Sequence, residues 1–520
     1  MDQGENGVQS RAVKGAIFEV LLEGNKDKWL PVELLAIVEA IGVRDAISRL
    51  TDRDATHWEC GWAVGSFLPH SDLDSLGRYS INNVAICGIA VLRLREAGQS
   101  LTKSVRIDSS RFAFETVKEP EIGRPLRIHS SPFGLVTPLV LSNTISRGIV
   151  SNVVTGRDPQ NPKAMLATLL ITDVRVLPGM EGAPCFIDSD VVESGWFVGL
   201  LMIPIRRKDG DPVDLSFIVP ARTILSAIAP LLSSPLLSPA ISTRTAVRHA
   251  AAAINTVATL ARTRAAVVLV EVSNTWASGV VVSSDGYILT NAHVFYDFLE
   301  EDSPGSPHAR LKKWVRIRVR LGERWFDTVI LDFVCLSHWD VALLRLDGLA
   351  LVEERQKEGG LPFVQLPEKD FGFATEPSLP VLALGHGIFG SRARTACTVT
   401  SGVVSKVVQH CGEPVMVVSS AKVHRGCSGG VLVDAERPDR VVGLISSNAR
   451  TKDGITVTEV NFAIPTNQLV PIAQFLRTRD RETLVPLELV DTQIEDIWFL
   501  RTTLPQLSHP ENSQLPKSKL

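Results

Sequence analysis

The sequence is poor in the features that mark secreted, membrane-spanning or metal-binding proteins. Residues 1–7 have neither the basic start nor the apolar core of a secretory signal peptide. No apolar run reaches the length of a membrane span, since the run at 265–272 is short and follows Arg262 and Arg264. The seven cysteines are scattered and odd in number, which argues against a disulfide framework or a zinc site. A net charge of -3, from 54 basic and 57 acidic residues, gives no argument for nucleic acid or an anionic membrane as a partner. We therefore expect a soluble protein that uses no metal and no cofactor and has neither a membrane span nor a nucleic-acid partner.

Three short motifs lie in an order that indicates nucleophilic catalysis. His293 lies in Asn-Ala-His-Val, Asp340 opens Asp-Val-Ala-Leu-Leu, and Ser428 lies in Gly-Cys-Ser-Gly-Gly. A serine hydroxyl needs a neutral imidazole to accept its proton and a carboxylate to fix the tautomer of that imidazole. Each motif alone is usually a loop or a strand end, but their order and setting together predict a Ser-His-Asp catalytic triad.

The surroundings of the serine and the histidine support that prediction. Gly426 and the glycines at 429–430 permit a tight backbone that aims N–H groups at one point, so we assign the oxyanion hole to the N–H groups of Gly426 and Ser428. The stretches 279–282 and 287–290 flank an Asp-Gly turn and predict a hairpin, which places His293 just past a strand end. Short strands with frequent turns favour a two-barrel β protein over βαβ units.

The primary substrate pocket is predicted from two further stretches. Its base comes from 420–423, and its wall comes from Ile445, Ser446, Ser447 and Asn448. The base has no aspartate that would bind a lysine or arginine side chain, and Lys422 would repel one if it faced inward. We therefore expect small, uncharged side chains at the cleaved position.

Together these motifs resemble the HtrA/Deg branch of the trypsin-like serine proteases. The resemblance also rests on Trp-Ala-Ser-Gly at 276–279, Thr-Ser-Gly-Val-Val-Ser at 400–405 and Asn-Phe-Ala-Ile-Pro at 461–465, and it covers residues from near 264 to near 475. Cys427 departs from the Asn or Asp that relatives carry before the serine, a position that need not take part in the chemistry. The segment after 478 is too short for the PDZ domain of most bacterial HtrA proteins.

The N-terminal part of the chain reads as a degraded copy of this domain. Four pairs of segments match in the same order, about 250 residues apart: 90–94 with 342–346, 147–154 with 401–408, 178–184 with 425–431, and 217–220 with 462–465. In this alignment Glu181 stands at the position of Ser428, and Gly88 stands at that of Asp340. The nearest imidazoles, His57 and His70, lack the strand-end setting. Because a carboxylate cannot be the activated nucleophile of this mechanism, we predict an inactive N-terminal domain.

The predicted fold is all-β, with two tandem trypsin-like double β-barrel domains, of which the N-terminal one is degenerate, and a short helical linker. Residues 230–239 are rich in Pro, Ser and Leu, and 243–261 are rich in Ala and prone to form a helix. The predicted boundaries are 1–232 for the inactive domain, 233–262 for the linker and helix, 263–478 for the active domain, and 479–520 for a C-terminal tail.

The sequence ends in Ser518, Lys519 and Leu520, which has the form of a peroxisomal targeting signal read by an import receptor. The polar stretch before it is expected to be accessible. We therefore expect the peroxisome matrix as the location and the import receptor as a partner.

The chain combines an inactive half, an HtrA-like half and this terminus, and it lacks a PDZ domain. In this combination it resembles the peroxisomal leader peptide-processing proteases. The resemblance implies a serine endopeptidase that removes N-terminal leaders from imported peroxisomal matrix proteins, forms a homo-oligomer and processes itself. Two alternatives stay open at this point: a quality-control protease that degrades unfolded matrix proteins, and a non-catalytic peptide-binding scaffold. For the inactive half, leader binding, blocking of the cleft and dimer formation are equally open.

Overall fold

The structure is a computed structural model of the 520-residue chain. It describes residues 18–21, 29–40, 42–51, 57–60, 79–80, 87–94, 113–114, 120–133, 141, 144–157, 165–187, 196–208, 210–232, 251–300, 311–327, 329–348, 351, 353, 360–367, 376–390, 395–450 and 454–500. His70 and the terminal Ser-Lys-Leu lie outside these residues.

Thirteen of the described strands belong to the N-terminal half. They are β1 Phe18–Leu21, β2 Trp29–Glu39, β3 Trp58–Cys60, β4 Tyr79–Ser80, β5 Gly88–Leu94, β6 Ala113–Phe114, β7 Pro125–Ser130, β8 Thr144–Arg157, β9 Met165–Thr172, β10 Pro184–Ile187, β11 Trp196–Leu201, β12 Ile205–Arg207 and β13 Ser216–Pro220. Strands β7, β8, β9, β13, β11 and β10 are neighbours in that order, and β10 pairs back onto β7, which closes a six-stranded barrel. Six of the remaining strands form two three-stranded sheets, β1-β2-β5 and β12-β3-β4, and β6 pairs with β11 at the edge of the barrel sheet.

The C-terminal half contains the other thirteen described strands. They are β14 Val267–Val272, β15 Thr275–Val281, β16 Tyr287–Thr290, β17 Ile317–Leu321, β18 Arg324–Phe326, β19 Val329–Cys335, β20 Val341–Leu346, β21 Pro380–Gly385, β22 Thr398–His410, β23 Glu413–Ser419, β24 Val431–Asp434, β25 Val441–Arg450 and β26 Thr456–Pro465. The first seven form one antiparallel sheet in the order β18-β17-β14-β15-β16-β20-β19. The last six close a barrel in the order β21-β22-β23-β26-β25-β24.

The two closed barrels have the same strand order, since β7, β8, β9, β13, β11 and β10 correspond in turn to β21, β22, β23, β26, β25 and β24. The matched segments 147–154 and 401–408 lie in the equivalent strands β8 and β22, and 90–94 and 342–346 lie in β5 and β20. The fold predicted from the sequence, all-β with two tandem trypsin-like domains and a degenerate first copy, is confirmed. The exact domain boundaries stay a prediction.

Helices occupy the junctions and the C-terminal end. The described α-helices are α1 Val43–Leu50, α2 Ala221–Leu232, α3 Ala251–Ala265, α4 Val470–Thr478, α5 Val485–Glu488 and α6 Thr492–Trp498. Helix α3 overlaps the alanine-rich stretch and leads directly into β14. Beyond 478, Leu484, Leu487 and Ile494 are buried in the core of the first C-terminal sheet. Of the helices described, none has both the length and the apolar character required to cross a bilayer.

The two halves share an apolar core. Phe389, from the loop after β21, is buried among residues of the N-terminal half. Its ring stacks on Trp58, with centroids 6.2 Å apart, and meets the edge of Phe217 at 6.4 Å. The N-terminal half is therefore packed directly against the loops of the second C-terminal barrel.

Candidate active site

A strand pairing brings the predicted histidine and aspartate together. In the antiparallel register of β16 and β20, Thr290 at the end of β16 lies opposite Ala342 near the start of β20. The chain just after β16 is therefore adjacent to the chain just before β20. A short 3-10 helix, Ala292–Phe298, begins there and carries His293.

The Asp340 carboxylate is the centre of the hydrogen bonds at this point. Its Oδ2 lies 2.7 Å from Nδ1 of His293 and accepts a bond of 3.1 Å from the Ser446 hydroxyl, while its Oδ1 accepts from the His293 backbone N–H at 2.7 Å. Asp340 has a φ of 51°, in the left-handed region that aspartate tolerates better than most residues. Its own carbonyl accepts from the N–H of Ala292 and from the Asn291 side chain. A proton on Nδ1 that faces this carboxylate leaves Nε2 as the basic nitrogen.

The surroundings of His293 shift its pKa in opposite directions. Burial disfavours the charged imidazolium and lowers the pKa, whereas the hydrogen bond and the negative charge of Asp340 raise it. Asp340 outweighs burial, so the pKa of His293 is raised above its ordinary value of 6.5. The imidazole side chain keeps 38% of its surface exposed, which leaves the ring accessible to a substrate.

Ser428 lies on the second barrel, in the loop between β23 and β24. Its Oγ donates to the carbonyl oxygen of Ser446 at 2.9 Å, and no hydrogen bond joins it to His293 in the described part of the chain. The Ser446 hydroxyl in turn reaches Asp340. The structure thus places His293 and Asp340 in direct contact and links Ser428 to them through Ser446.

The loop that carries Ser428 is tied to the first sheet by Ser278, which is fully buried in β15. The Ser278 hydroxyl donates to the carbonyl of Gly426 at 2.7 Å and accepts from the N–H of His386 at 2.7 Å. The N–H of Ser278 donates to the carbonyl of Ser428 at 2.8 Å. These bonds cross between the two β units and hold the serine loop against the unit that carries the histidine.

Backbone geometry around Ser428 requires glycine. Gly429 has a φ of 83°, and a Cβ there would lie 2.1 Å from the carbonyl oxygen of Ser278; a Cβ on Gly430 would lie 2.3 Å from the carbonyl oxygen of Leu384. Gly426 has a φ of 92°. Within the described ranges, the N–H groups of Gly426 and Ser428 make no hydrogen bond, whereas the N–H of Cys427 between them donates to a carbonyl at 3.0 Å.

The degenerate N-terminal half contains the same loop. Glu181 and Ser428 occupy equivalent places, because the surrounding backbone hydrogen bonds match pair by pair. The matching pairs are Phe133 N–Pro178 O with Ile388 N–Arg425 O, Met180 N–Leu177 O with Cys427 N–His424 O, Gly182 N–Leu201 O with Gly429 N–Ile445 O, Ala183 N–Met180 O with Gly430 N–Cys427 O, and Leu201 N–Ala183 O with Ile445 N–Gly430 O. Gly179, the equivalent of Gly426, also has a positive φ, of 88°. The structure therefore supports the alignment that puts a carboxylate at the place of the serine.

The four residues predicted for the pocket wall lie along β25. Ile445 and Ser446 are buried, and Ser447 is exposed. The Asn448 side chain donates to the carbonyl of Val423 at 2.8 Å and to the side-chain oxygen of Asn461 at 2.7 Å. The predicted wall is thus joined to the predicted base by a direct hydrogen bond.

Sequence reasoning missed several residues that shape this region. Nothing in the local sequence marked Ser278 as the tether of the serine loop. Lys422 would repel a basic substrate residue only if it faced inward, but its ammonium binds backbone carbonyls of the N-terminal half. Cys427 is buried, and burial raises the pKa of its thiol to about 11, so the thiolate is scarce near neutral pH.

Comparison with known proteins finds one matching family and several similar proteins. The trypsin-like peptidase domain family matches residues 277–444. The peroxisomal leader peptide-processing protease of Mus musculus is 30% identical over 505 residues, which cover 94% of this chain and 77% of the relative. The protein of the same name from Homo sapiens is 29% identical over 499 residues, with the same coverage. Among solved structures, the HtrA-type protease AlgW with tripeptide is 24% identical, with a TM-score of 0.31, over 43% of this chain and 64% of that chain.

The trypsin-like domain contains the contact between His293 and Asp340 and the glycine-rich loop of Ser428, and the similarity to the curated relatives extends over both halves of the chain. The chain is a trypsin-like serine protease and belongs to the family of peroxisomal leader peptide-processing proteases.

Proposed function

We propose that this protease is an endopeptidase that uses Ser428 as nucleophile, His293 as general base and Asp340 as the residue that orients the imidazole. The observation that carries the proposal is the 2.7 Å contact between Nδ1 of His293 and Oδ2 of Asp340. This contact leaves Nε2 free to accept a proton on the side away from the carboxylate.

Acylation begins when the Ser428 hydroxyl leaves the Ser446 carbonyl and turns to Nε2 of His293. Hydrogen bonds between catalytic groups are often loose until substrate binds. Nε2 takes the hydroxyl proton as Oγ attacks the scissile carbonyl carbon, and the negative charge of Asp340 stabilises the imidazolium that forms. The imidazolium then gives its proton to the leaving amine, and the acyl group stays on Ser428. In deacylation, His293 takes a proton from water as the water attacks the acyl carbonyl, and the proton then returns to Ser428 as the carboxylic acid is released.

The N–H groups of Gly426 and Ser428 form the oxyanion hole in this mechanism. Both are without an acceptor in the described structure, and donors fixed in advance at the developing negative charge stabilise the transition state. The inactive copy supports this role. There the N–H of Gly179, which corresponds to that of Gly426, donates at 3.0 Å to the carboxylate of Glu181. An anionic oxygen therefore lies in front of this N–H.

The substrates that we propose are imported peroxisomal matrix proteins from which an N-terminal leader is removed. The names of the two curated relatives support this proposal. Ile445, Ser446, Ser447 and Asn448 line one wall of the primary pocket, and its base at 420–423 has no aspartate that would bind lysine or arginine at the cleaved position. A peptide library profile dominated by Arg or Lys would contradict the pocket assignment.

The decisive experiment combines covalent labelling with a folded substrate. A fluorophosphonate probe should label the wild-type protein and leave Ser428→Ala unlabelled; absence of labelling in both would support a binding scaffold instead. One folded matrix enzyme that carries its leader should then be cut once by the wild type. A ladder of fragments from the same substrate would support a quality-control protease.

We also propose peroxisomal matrix import through Ser518, Lys519 and Leu520, and self-association of the chain. A fluorescent fusion that loses its peroxisomal location when these three residues are deleted would support the first. Light scattering at several concentrations tests the second, and a constant monomer mass would contradict it.

A further inference from the structure

The loop that forms the base of the primary pocket is held by the inactive half. Lys422 is only 9% exposed, and its Nζ donates to the backbone carbonyl oxygens of Asp173, at 2.8 Å, and Asp214, at 3.2 Å. Within the C-terminal half, the hydroxyl of Thr400 donates to the backbone carbonyl of Lys422 at 2.7 Å. The side chain of this lysine therefore belongs to the inter-domain contact, while its backbone belongs to the pocket.

Asp214 is the second point of attachment. It has a φ of 44°, and its carboxylate accepts a hydrogen bond from the hydroxyl of Thr458 on β26. The carbonyl of Thr458 accepts from the N–H of Val423 at 3.0 Å, and the carbonyl of Val423 accepts from the side chain of Asn448 at 2.8 Å. A continuous set of bonds thus runs from the inactive half through the pocket base to the pocket wall.

Two further contacts fix the same surfaces. The imidazole of His424, two residues before Gly426, is buried, and the backbone of Val213 in the N-terminal half lies beside it. The carboxylate of Asp173 accepts from the N–H of Ile149 in β8 and from the N–H and hydroxyl of Ser401 in β22, at 2.8, 2.6 and 2.7 Å. One buried carboxylate therefore joins equivalent strands of the two barrels.

A plain docking surface between domains does not need buried charge. Apolar packing around Phe389 already joins the two halves, whereas burying an ammonium and a carboxylate costs free energy unless their hydrogen bonds are satisfied. Here both charged groups are satisfied, and the ammonium comes from the segment that leads to the nucleophile. This placement connects the polar contacts to the shape of the pocket.

We propose that the inactive half is a fixed part of the primary pocket, in which Asp173 and Asp214 are positioning residues that hold Lys422 and Thr458 and so keep the pocket base in its working shape. The inference rests on the proposed function, since it assumes that Ser428 is the nucleophile beside that pocket. Asp173 and Asp214 touch no reacting atom and act through the loop.

Asp214→Ala tests the proposal because alanine lacks the acceptor for Thr458 and disfavours the left-handed backbone. Asp214→Asn is the conservative partner, since asparagine keeps an acceptor oxygen and tolerates that backbone. Ser378→Ala is the matched control: Ser378 also has a positive φ, of 74°, but it is exposed in the turn before β21, and its N–H bonds to Val404.

Two rates are compared in the full-length protein: kcat/KM on a peptide with a small uncharged residue at the cleaved position, and the rate of labelling by a small fluorophosphonate that does not fill the pocket. Asp214→Ala should lower kcat/KM at least about tenfold and change the labelling rate less than about threefold. Asp214→Asn and Ser378→Ala should stay within about threefold of wild type in both.

Equal losses in both rates, or no loss in either, would overturn the proposal. If Asp214→Ala shows no cooperative unfolding, Lys422→Met decides by the same comparison, because methionine keeps an apolar stem of similar length and removes the donor. Failure of the wild type to be labelled at all is a different result and would count against Ser428 as nucleophile.

Discussion

Ser278→Ala is the substitution that tests most directly how the serine loop is held. The Ser278 hydroxyl is fully buried and bonds the carbonyl of Gly426 and the N–H of His386, each at 2.7 Å. Alanine fits the same space but leaves both backbone groups without this partner. A buried polar group that loses its partner costs about 1–3 kcal/mol, so the loss for both groups should lower the free energy of unfolding by about 2–6 kcal/mol.

The same change should lower kcat. The carbonyl of Gly426 is the anchor of the residue whose N–H we place in the oxyanion hole, and loss of one such donor costs about a hundredfold to a thousandfold in kcat. Because the donor is displaced and not removed, we expect a fall of about tenfold to a hundredfold, with KM nearly unchanged.

The assay measures urea unfolding, kcat and KM on one peptide, and fluorophosphonate labelling. Ser283→Ala is the control, since the Ser283 hydroxyl also accepts a backbone N–H, that of Tyr287 at 3.1 Å, but lies in the hairpin turn. A Ser278→Ala protein that loses stability as expected yet keeps kcat within about twofold would refute the link between this tether and the oxyanion hole.

Asp340→Asn should lower kcat by about ten-thousandfold in single-turnover assays, because an amide facing Nδ1 favours the tautomer with its proton on Nε2; a loss below tenfold would contradict the orienting role. Since the pKa of His293 is raised and only neutral imidazole accepts the serine proton, activity should rise with pH through a midpoint above the ordinary 6.5, and a pH profile of kcat/KM with a midpoint below 6.5 would be inconsistent. Gly429→Ala should abolish labelling, because its Cβ would lie 2.1 Å from a backbone oxygen at a φ of 83°; normal labelling would show that the loop relaxes. Asp173→Asn should lower the free energy of unfolding by about 1–3 kcal/mol, because an amide N–H would face the N–H of Ser401; an unchanged urea midpoint would argue against this inter-barrel bond.

Local sequence patterns were sufficient to predict part of the first C-terminal sheet. The Asp-Gly turn predicted a hairpin, and β15 and β16 are paired around it, with Gly286 at a φ of 92°. The position of His293 just past a strand end follows from the same pattern and is confirmed by the end of β16 at Thr290. Such predictions succeed because turn chemistry and strand alternation act over a few residues.

The inter-domain contacts had no comparable signal. Lys422 and Asp173 are 249 residues apart along the chain, and neither lies in a pattern that indicates a partner. A lysine in a pocket base suggested repulsion of basic substrates, but the direction of its side chain is set by the docked half. Contacts of this kind depend on how two folded barrels pack against each other, which hydrophobic periodicity and turn motifs do not encode.

The two copies of the serine loop separate the requirements of the fold from those of catalysis. Both loops keep matching backbone hydrogen bonds and a positive φ at the glycine two residues before the key position, although one carries Glu181 and the other Ser428. The loop shape is therefore a property of the closed barrel and is retained without a nucleophile. What the C-terminal copy adds is a hydroxyl at this position and a first sheet that brings His293 and Asp340 into contact. The N-terminal copy retains the closed barrel without the serine, and Asp173 and Asp214 of that half contact Ser401 and Thr458 of the C-terminal half.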